Sequence, residues 1–156
     1  MEDRRTSIRR LGTMAAGAIL AGGAAREAQA NTEAASAAAG GDERVVYHVN
    51  DTAFARDALT NMNNHLNNAP GAKLALVANG RGVKMLVQGE WDRHGEYAAD
   101  MKALQARGAR FIACRTAMAM QEIDASKLVA GVTSVPSGVV ELTRLQTAER
   151  YAYIKP

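Results

Sequence analysis

The stretch Val45-Val46-Tyr47-His48-Val49-Asn50-Asp51-Thr52 decides how this chain is read. Val45 to Val49 is a β-branched and aromatic run of strand type, and Asn50-Asp51-Thr52 follows at once with the short polar side chains that cap helices. Ala55, Leu59, Met62 and Leu66 then recur at helical spacing until Pro70-Gly71 stops them. The same alternation continues downstream. Lys73 to Ala78 (KLALVA) is a second buried strand, closed by Asn79-Gly80-Arg81-Gly82, and Val83 to Val87 reads as a short third strand. Gln88 to Gly95 is a polar loop holding Trp91 and His94. Tyr97, Met101 and Leu104 mark one face of a helix, with Gly108 where a C-terminal glycine belongs.

Arg110 to Cys114 (RFIAC) is a fourth strand, after which Thr116 can cap a short helix through Met120. Val132 to Val135 forms another strand, Pro136 and Ser137 start a helix with Val139, Leu142 and Leu145 inward, and Tyr151 to Ile154 is the last strand. Continuous apolar strands alternating with amphipathic helices predict an α/β domain over residues 44–156, with a mainly parallel central sheet of about five strands covered on both faces.

Residues 1–43 read differently. Arg4, Arg5, Arg9 and Arg10 precede the weakly apolar run Leu11 to Ala25, and small residues at Ala28 and Ala30 suit signal-peptidase cleavage before Asn31. Arg4-Arg5-Thr6-Ser7-Ile8-Arg9 resembles a twin-arginine export signal, so residues 1–30 are expected to direct the protein to the periplasm. The apolar run is too short and too rich in Ala and Gly to span a bilayer, which needs about 20 apolar residues, and no stable membrane insertion is expected after cleavage. Residues 31–43 begin Asn31-Thr32-Glu33 and continue in Ala, Gly and Ser, a flexible linker by composition.

The charge belongs largely to that signal. The chain has 156 residues with 19 basic and 16 acidic side chains, and beyond residue 30 the balance is 14 to 13. With 4% aromatic residues as well, the domain has neither the basic patch nor the stacking surface of a nucleic-acid binder. One cysteine excludes an internal disulfide and any multi-cysteine metal site within one chain.

In a parallel α/β sheet the binding crevice lies beyond the carboxyl ends of the strands. Those ends deliver His48 and Asn50-Asp51, then Asn79-Gly80-Arg81-Gly82, then Cys114-Arg115-Thr116, then Ser134 to Gly138 with Ser137 among them. Cys114 joins a strand end to a helix start beside the cation Arg115, and both features favour thiolate, although most free cysteines are small buried hydrophobes. His48 and His65 read as hydrogen-bonded structural residues, and His94 as solvated. Gly80 and Gly82 lack the rest of a phosphate-binding motif. Met118 lies one helical turn from Cys114, a pair that suits Cu(I), though methionine as core filler is the plainer reading. No hydrolase arrangement is visible, and no cofactor is expected.

Taken together, Val45 to Asn50 (VVYHVN), Asn64-His65-Leu66, Leu76 to Gly80 (LVANG), Phe111 to Cys114 (FIAC), Val135 to Val139 (VPSGV), Leu145-Gln146 and Tyr151 to Pro156 (YAYIKP) resemble the DsrE/DsrF-like family, particularly its small exported members, over nearly all of residues 44–156. The resemblance implies a three-layer α/β/α fold of YchN type and assembly into dimers, trimers or hexamers. Better-studied relatives relay sulfur as a cysteine persulfide, in dissimilatory sulfur oxidation and in tRNA thiolation. Cys114 occupies a strand-end position where many members carry cysteine, while Asn79 stands where related sequences often have histidine. The expectation is a sulfur carrier more than a turnover enzyme. Cys114 would accept sulfur, Arg115 would stabilise the thiolate, and His48, Asn50, Asn79, Gly80 and Ser137 would line the ligand site. A sulfur-donor or acceptor protein would be its partner. The alternative is a non-catalytic oligomeric module that binds a small ligand, or a soft metal at Cys114 and Met118.

Overall fold

The computed structural model describes residues 43–156, so the expected signal and nearly all of the linker lie outside the described residues. Five parallel strands form the central sheet in the order β6-β5-β2-β1-β7: β1 (Arg44–Val49), β2 (Lys73–Ala78), β5 (Arg110–Cys114), β6 (Thr133–Val135) and β7 (Ala152–Ile154). Helices α1 (Ala55–Asn68), α2 (Tyr97–Ala106), α3 (Arg115–Met120) and α4 (Gly138–Thr147) connect them. Among the described residues no helix is long and apolar enough to cross a membrane.

The two faces of the sheet bury unequal layers. Val45, Tyr47 and Val49 of β1 point to the side of α1 and α2, where Leu59, Met62, Leu66, Met101, Leu104 and Phe111 complete the larger core. Val46, on the other side, joins Ala75, Val77, Ile112 and Tyr151 beneath Leu142 and Leu145 of α4. This alternation is the two-residue period of a strand buried on both faces.

The expected third strand at Val83 to Val87 is instead a 3-10 segment, Gly80–Leu86, and only Val87 makes an isolated antiparallel bridge, with Leu128. Its apolar residues Val83, Met85 and Leu86 are wholly buried against the larger core, which a helical turn accomplishes without a strand partner. Backbone contact fixes its position: a Cβ on Gly82 would overlap the Val49 carbonyl, 2.7 Å from its carbon, and stand 3.0 Å from Asp51 N. The polar loop at Gln88 to Gly95 contains a short antiparallel hairpin, β3 (Trp91–Asp92) and β4 (Gly95–Glu96), held by Arg56, which donates to the Asp92 carboxylate at 2.8 and 3.0 Å and to Gly95 O at 2.9 Å. Trp91 itself is 70% exposed.

Two smaller expectations also change. Val139 is exposed, because the inward face of α4 is Gly138, Leu142 and Leu145, a spacing of four and three that leaves Val139 a third of a turn away. Thr116 caps no helix, since α3 begins at Arg115 with Cys114 as its N-cap residue, and the Thr116 hydroxyl donates to Pro136 O at 3.0 Å.

A clamp outside the core links α4 to the approach to β7. Arg144 donates to both Glu141 oxygens at 2.7 and 2.8 Å and to Glu149 at 2.5 Å. The bonds from Arg144 hold the Glu141 carboxyl below its ordinary 4.5, against the opposing effect of burial. A depressed folded-state value stabilises the fold above that pH and ceases to do so as the pH falls through it. Arg144→Met is therefore expected to lower Tm at neutral pH and to flatten its decline below pH 4.5, as read by thermal melts across pH. Gly82→Ala should cost about 3 kcal/mol or more in urea unfolding, since backbone atoms of Val49 and Asp51 stand where the methyl would go.

Candidate functional site

Parallel register brings side chains from different strands into one row. Val46 of β1 pairs with Tyr153 of β7, His48 with Val77 of β2, and Val77 with Ile112 of β5, so Tyr153, His48 and Asn79 fall on the α4 side near the carboxyl ends, while Cys114, at the strand end, packs with the larger core cluster and meets α4 through Gly138. The His48 ring is hydrogen-bonded at both nitrogens, Nδ1 to the Tyr153 hydroxyl at 2.7 Å and Nε2 to Asn79 Oδ1 at 3.0 Å. The Asn79 backbone N–H donates to Val49 O at 3.0 Å, which ties the turn after β2 to the end of β1.

Helix α4 descends onto this row through a residue with no side chain. A Cβ at Gly138 would stand 3.0 Å from Cys114 Cβ, 3.2 Å from Asn79 Cβ and 3.4 Å from Val77 Cγ1. Ser137 is the N-cap residue, with extended backbone, but its side chain makes no capping hydrogen bond. The first-turn amides of α4 thus keep their capacity to donate beside Cys114, and a helix N-terminus favours negative charge. Cys114 is also the N-cap residue of the six-residue α3, the strand-to-helix junction expected from the sequence, and the terminus of a second helix, α4, is pressed against it through Gly138.

The other expected site residues surround this seam without entering it. Gly80 adopts φ 47° and packs against Asn50 O, so these two meet through backbone, and Gln121 Nε2 donates to Gly80 O at 2.6 Å. Asp51 caps the short turn Thr52–Phe54 by accepting from Ala53 N at 3.1 Å and pairs with Arg81; these bonds, the backbone one first, hold its carboxyl below the ordinary range. Arg115 is exposed and makes no ion pair among the described residues. Met118 is buried in the larger core, and no group of three or more His, Cys, Asp or Glu able to hold a metal occurs among the described residues. Cys114 is 6% exposed.

The second histidine is separate from this row. His65 bonds Tyr47 OH at 2.9 Å through Nδ1 and Glu43 at 3.0 Å through Nε2, near the amino end of β1. It fastens α1 to the start of β1, as a structural residue does.

A family model, the DsrE/DsrF-like family, matches residues 19–156. The chain belongs to the DsrE/DsrF-like family. Among solved structures this DsrE-like chain is similar to the protein of unknown function MTH1491 from Methanobacterium thermoautotrophicum, with 32% identity and a TM-score of 0.65 over 74% of this chain and 100% of that one. It is similar in fold to the YchN protein from E. coli, with 16% identity and a TM-score of 0.60 over 73% of this chain and 99% of that one. No curated protein matches. The DsrE-like fold expected from the sequence is the one observed.

Nothing local in the sequence marks Tyr153 as more than a strand residue. Its partnership with His48 crosses 105 positions and follows from register alone. The role of Gly138 was equally hidden, because its contacts come from β2 and β5. Gly138→Ala provides a test of opposing effects. Alanine gains up to about 1 kcal/mol of helix propensity, while overlap with two Cβ atoms fixed to sheet backbone costs about 1–3 kcal/mol. Net destabilisation of about 1 kcal/mol in urea titrations is the expected result.

Proposed function

We propose that this protein is a sulfur carrier in which Cys114 holds sulfane sulfur as a persulfide. The observation that carries the reading is the meeting of Cys114, Asn79 and the uncapped first turn of α4 at Gly138, because each of these neighbours can donate to a sulfur anion. Membership in the DsrE/DsrF-like family supports it. Arg115, next in the chain and exposed, adds positive charge at the rim.

The chemistry is a simple transfer. The Cys114 thiolate attacks the outer sulfur of a polysulfide or of thiosulfate. The donor S–S bond breaks, its electron pair leaves with the shortened polysulfide or with sulfite, and Cys114 keeps the persulfide. No oxidant or reductant is consumed. Exposure of 6% favours such small donors over direct attack on a protein persulfide, so a protein partner would act at a later transfer.

The same low exposure favours a second reading, a non-catalytic module in which the thiol is a core residue and the seam holds a small ligand or a soft metal. Self-assembly fits either reading: Met120 at the end of α3 and Val139 and Val140 at the start of α4 are exposed apolar side chains, and an oligomer would cover them. The periplasm is the proposed location, on the strength of Arg4-Arg5 and the apolar run behind them.

One preparation tests these points. Protein recovered from the periplasm should start at Asn31, elute as an oligomer in light scattering, and gain the mass of one sulfur atom on treatment with polysulfide or thiosulfate. Cys114→Ser should gain none. Absence of any adduct with either donor would leave the binding module as the reading.

A further inference from the structure

The methionines among the described residues divide sharply. Met62, Met85 and Met101 are wholly buried and Met118 is 4% exposed, all four inside the larger core, whereas Met120, two residues further along α3, is 82% exposed. Met1 and Met14 belong to the expected signal. Helix geometry produces the division: Ala117 and Met118 face inward, and a step of two residues turns Met120 about 200° away from Met118. On the exposed side of α3, Met120 lies one turn beyond Thr116, whose N–H and hydroxyl both donate to Pro136 O, at 3.4 and 3.0 Å. Pro136 leads into α4, where Val139 and Val140 are exposed. Three exposed apolar side chains thus flank one backbone junction, and the thioether of Met120 is the readily oxidised group among them.

We propose that Met120 is a redox-sensitive modification site: hydrogen peroxide converts its thioether to the sulfoxide while the four core methionines stay reduced, and the conversion weakens self-assembly through the α3–α4 surface. A lone pair on Met120 Sδ attacks one oxygen of the peroxide; an S–O bond forms and the O–O bond breaks. The departing hydroxide takes the proton from the transferred oxygen and leaves as water, so sulfur loses the two electrons that the peroxide gains. A sulfoxide oxygen is a polar acceptor, and covering it without a donor carries a penalty that covering a thioether does not. The effect on assembly rests on the self-assembly reading above. Assembly and oxidation then compete for one side chain: a covered Met120 is shielded from the oxidant, and an oxidised Met120 resists being covered.

The test treats purified protein with hydrogen peroxide at several protein concentrations, using peptide mapping by mass to read each methionine and light scattering to read size. Met120 sulfoxide should accumulate at least about tenfold faster than sulfoxide at Met62, Met85, Met101 or Met118, in keeping with the difference in exposure. Its rate should fall as protein concentration rises, and complete oxidation of Met120 should leave smaller particles. Met120→Leu should keep the assembled size through the same treatment, and Met120→Gln, which puts a polar amide at that position, should be small without peroxide. Repeating the series on Cys114→Ser removes thiol oxidation from the readout. Another of these methionines oxidised as fast as Met120 would overturn the site. Assembled protein whose size is unmoved when Met120 is fully oxidised would overturn the coupling and keep the assembly reading. Protein that is a single chain before any peroxide is added retires the assembly reading and the coupling with it, and the peptide map alone then decides the site.

Discussion

Close approach through glycines at the carboxyl end of the sheet governs the geometry of this protein. From the larger core, the 3-10 segment Gly80–Leu86 closes over the end of β1, with Gly82 against the Val49 carbonyl and Gly80 against Asn50. From the other face, α4 closes through Gly138 onto Cys114 and Asn79. The crevice that a parallel sheet would leave open is thereby narrowed to a seam. Close packing makes such a seam intolerant of even one methyl group. Burial of Cys114 follows from the same closure, and so does the shared position of Cys114 and Asn79.

The sheet was legible because its strands are buried on both faces and so read as continuous apolar runs, as in KLALVA and RFIAC. Val83 to Val87 looked the same and is not a strand. An apolar run reports burial, and only the distance of closest approach at Gly82 forces a tighter turn there. Val139 was misplaced by one position for a related reason: three apolar residues near a helix start fit two faces, and the packing of Gly138 chooses between them. At the site, strand ends could be nominated because topology puts function there. Which of the nominated side chains meet could not be read. His48, Asn79 and Cys114 come from three strands whose register no local pattern encodes, and Asn50 and Gly80 contribute backbone where side chains were expected.

The two layers also divide the labour. The side of α1 and α2 holds the larger apolar cluster, including Phe111, Met62 and Met85, whereas the α4 side is a thin layer of small aliphatic residues capped by Leu142, Leu145 and Tyr151. Polar side chains are tolerated on the thin side because its rim is short of apolar cover. His48 and Asn79 satisfy one another there, in keeping with the rule that a polar group taken from water needs a partner.

The order of strands carries a consequence for how the molecule reaches this state. β1 is internal to the sheet only because β7, three residues long and exposed, lies along its outer side, and the contact between His48 and Tyr153 closes a loop of 105 positions. Local pairings of β1 with β2 and β2 with β5 can form over much shorter separations, so the entropy of loop closure places the docking of β7 late. Until then β1 presents an unpaired edge, the kind of template on which other chains add strands, and His48 lacks the hydroxyl that fixes its ring. A form without β7 therefore keeps most of its core and the seam at Gly138, and what the last strand adds is the second partner of His48 and the cover along the edge of β1.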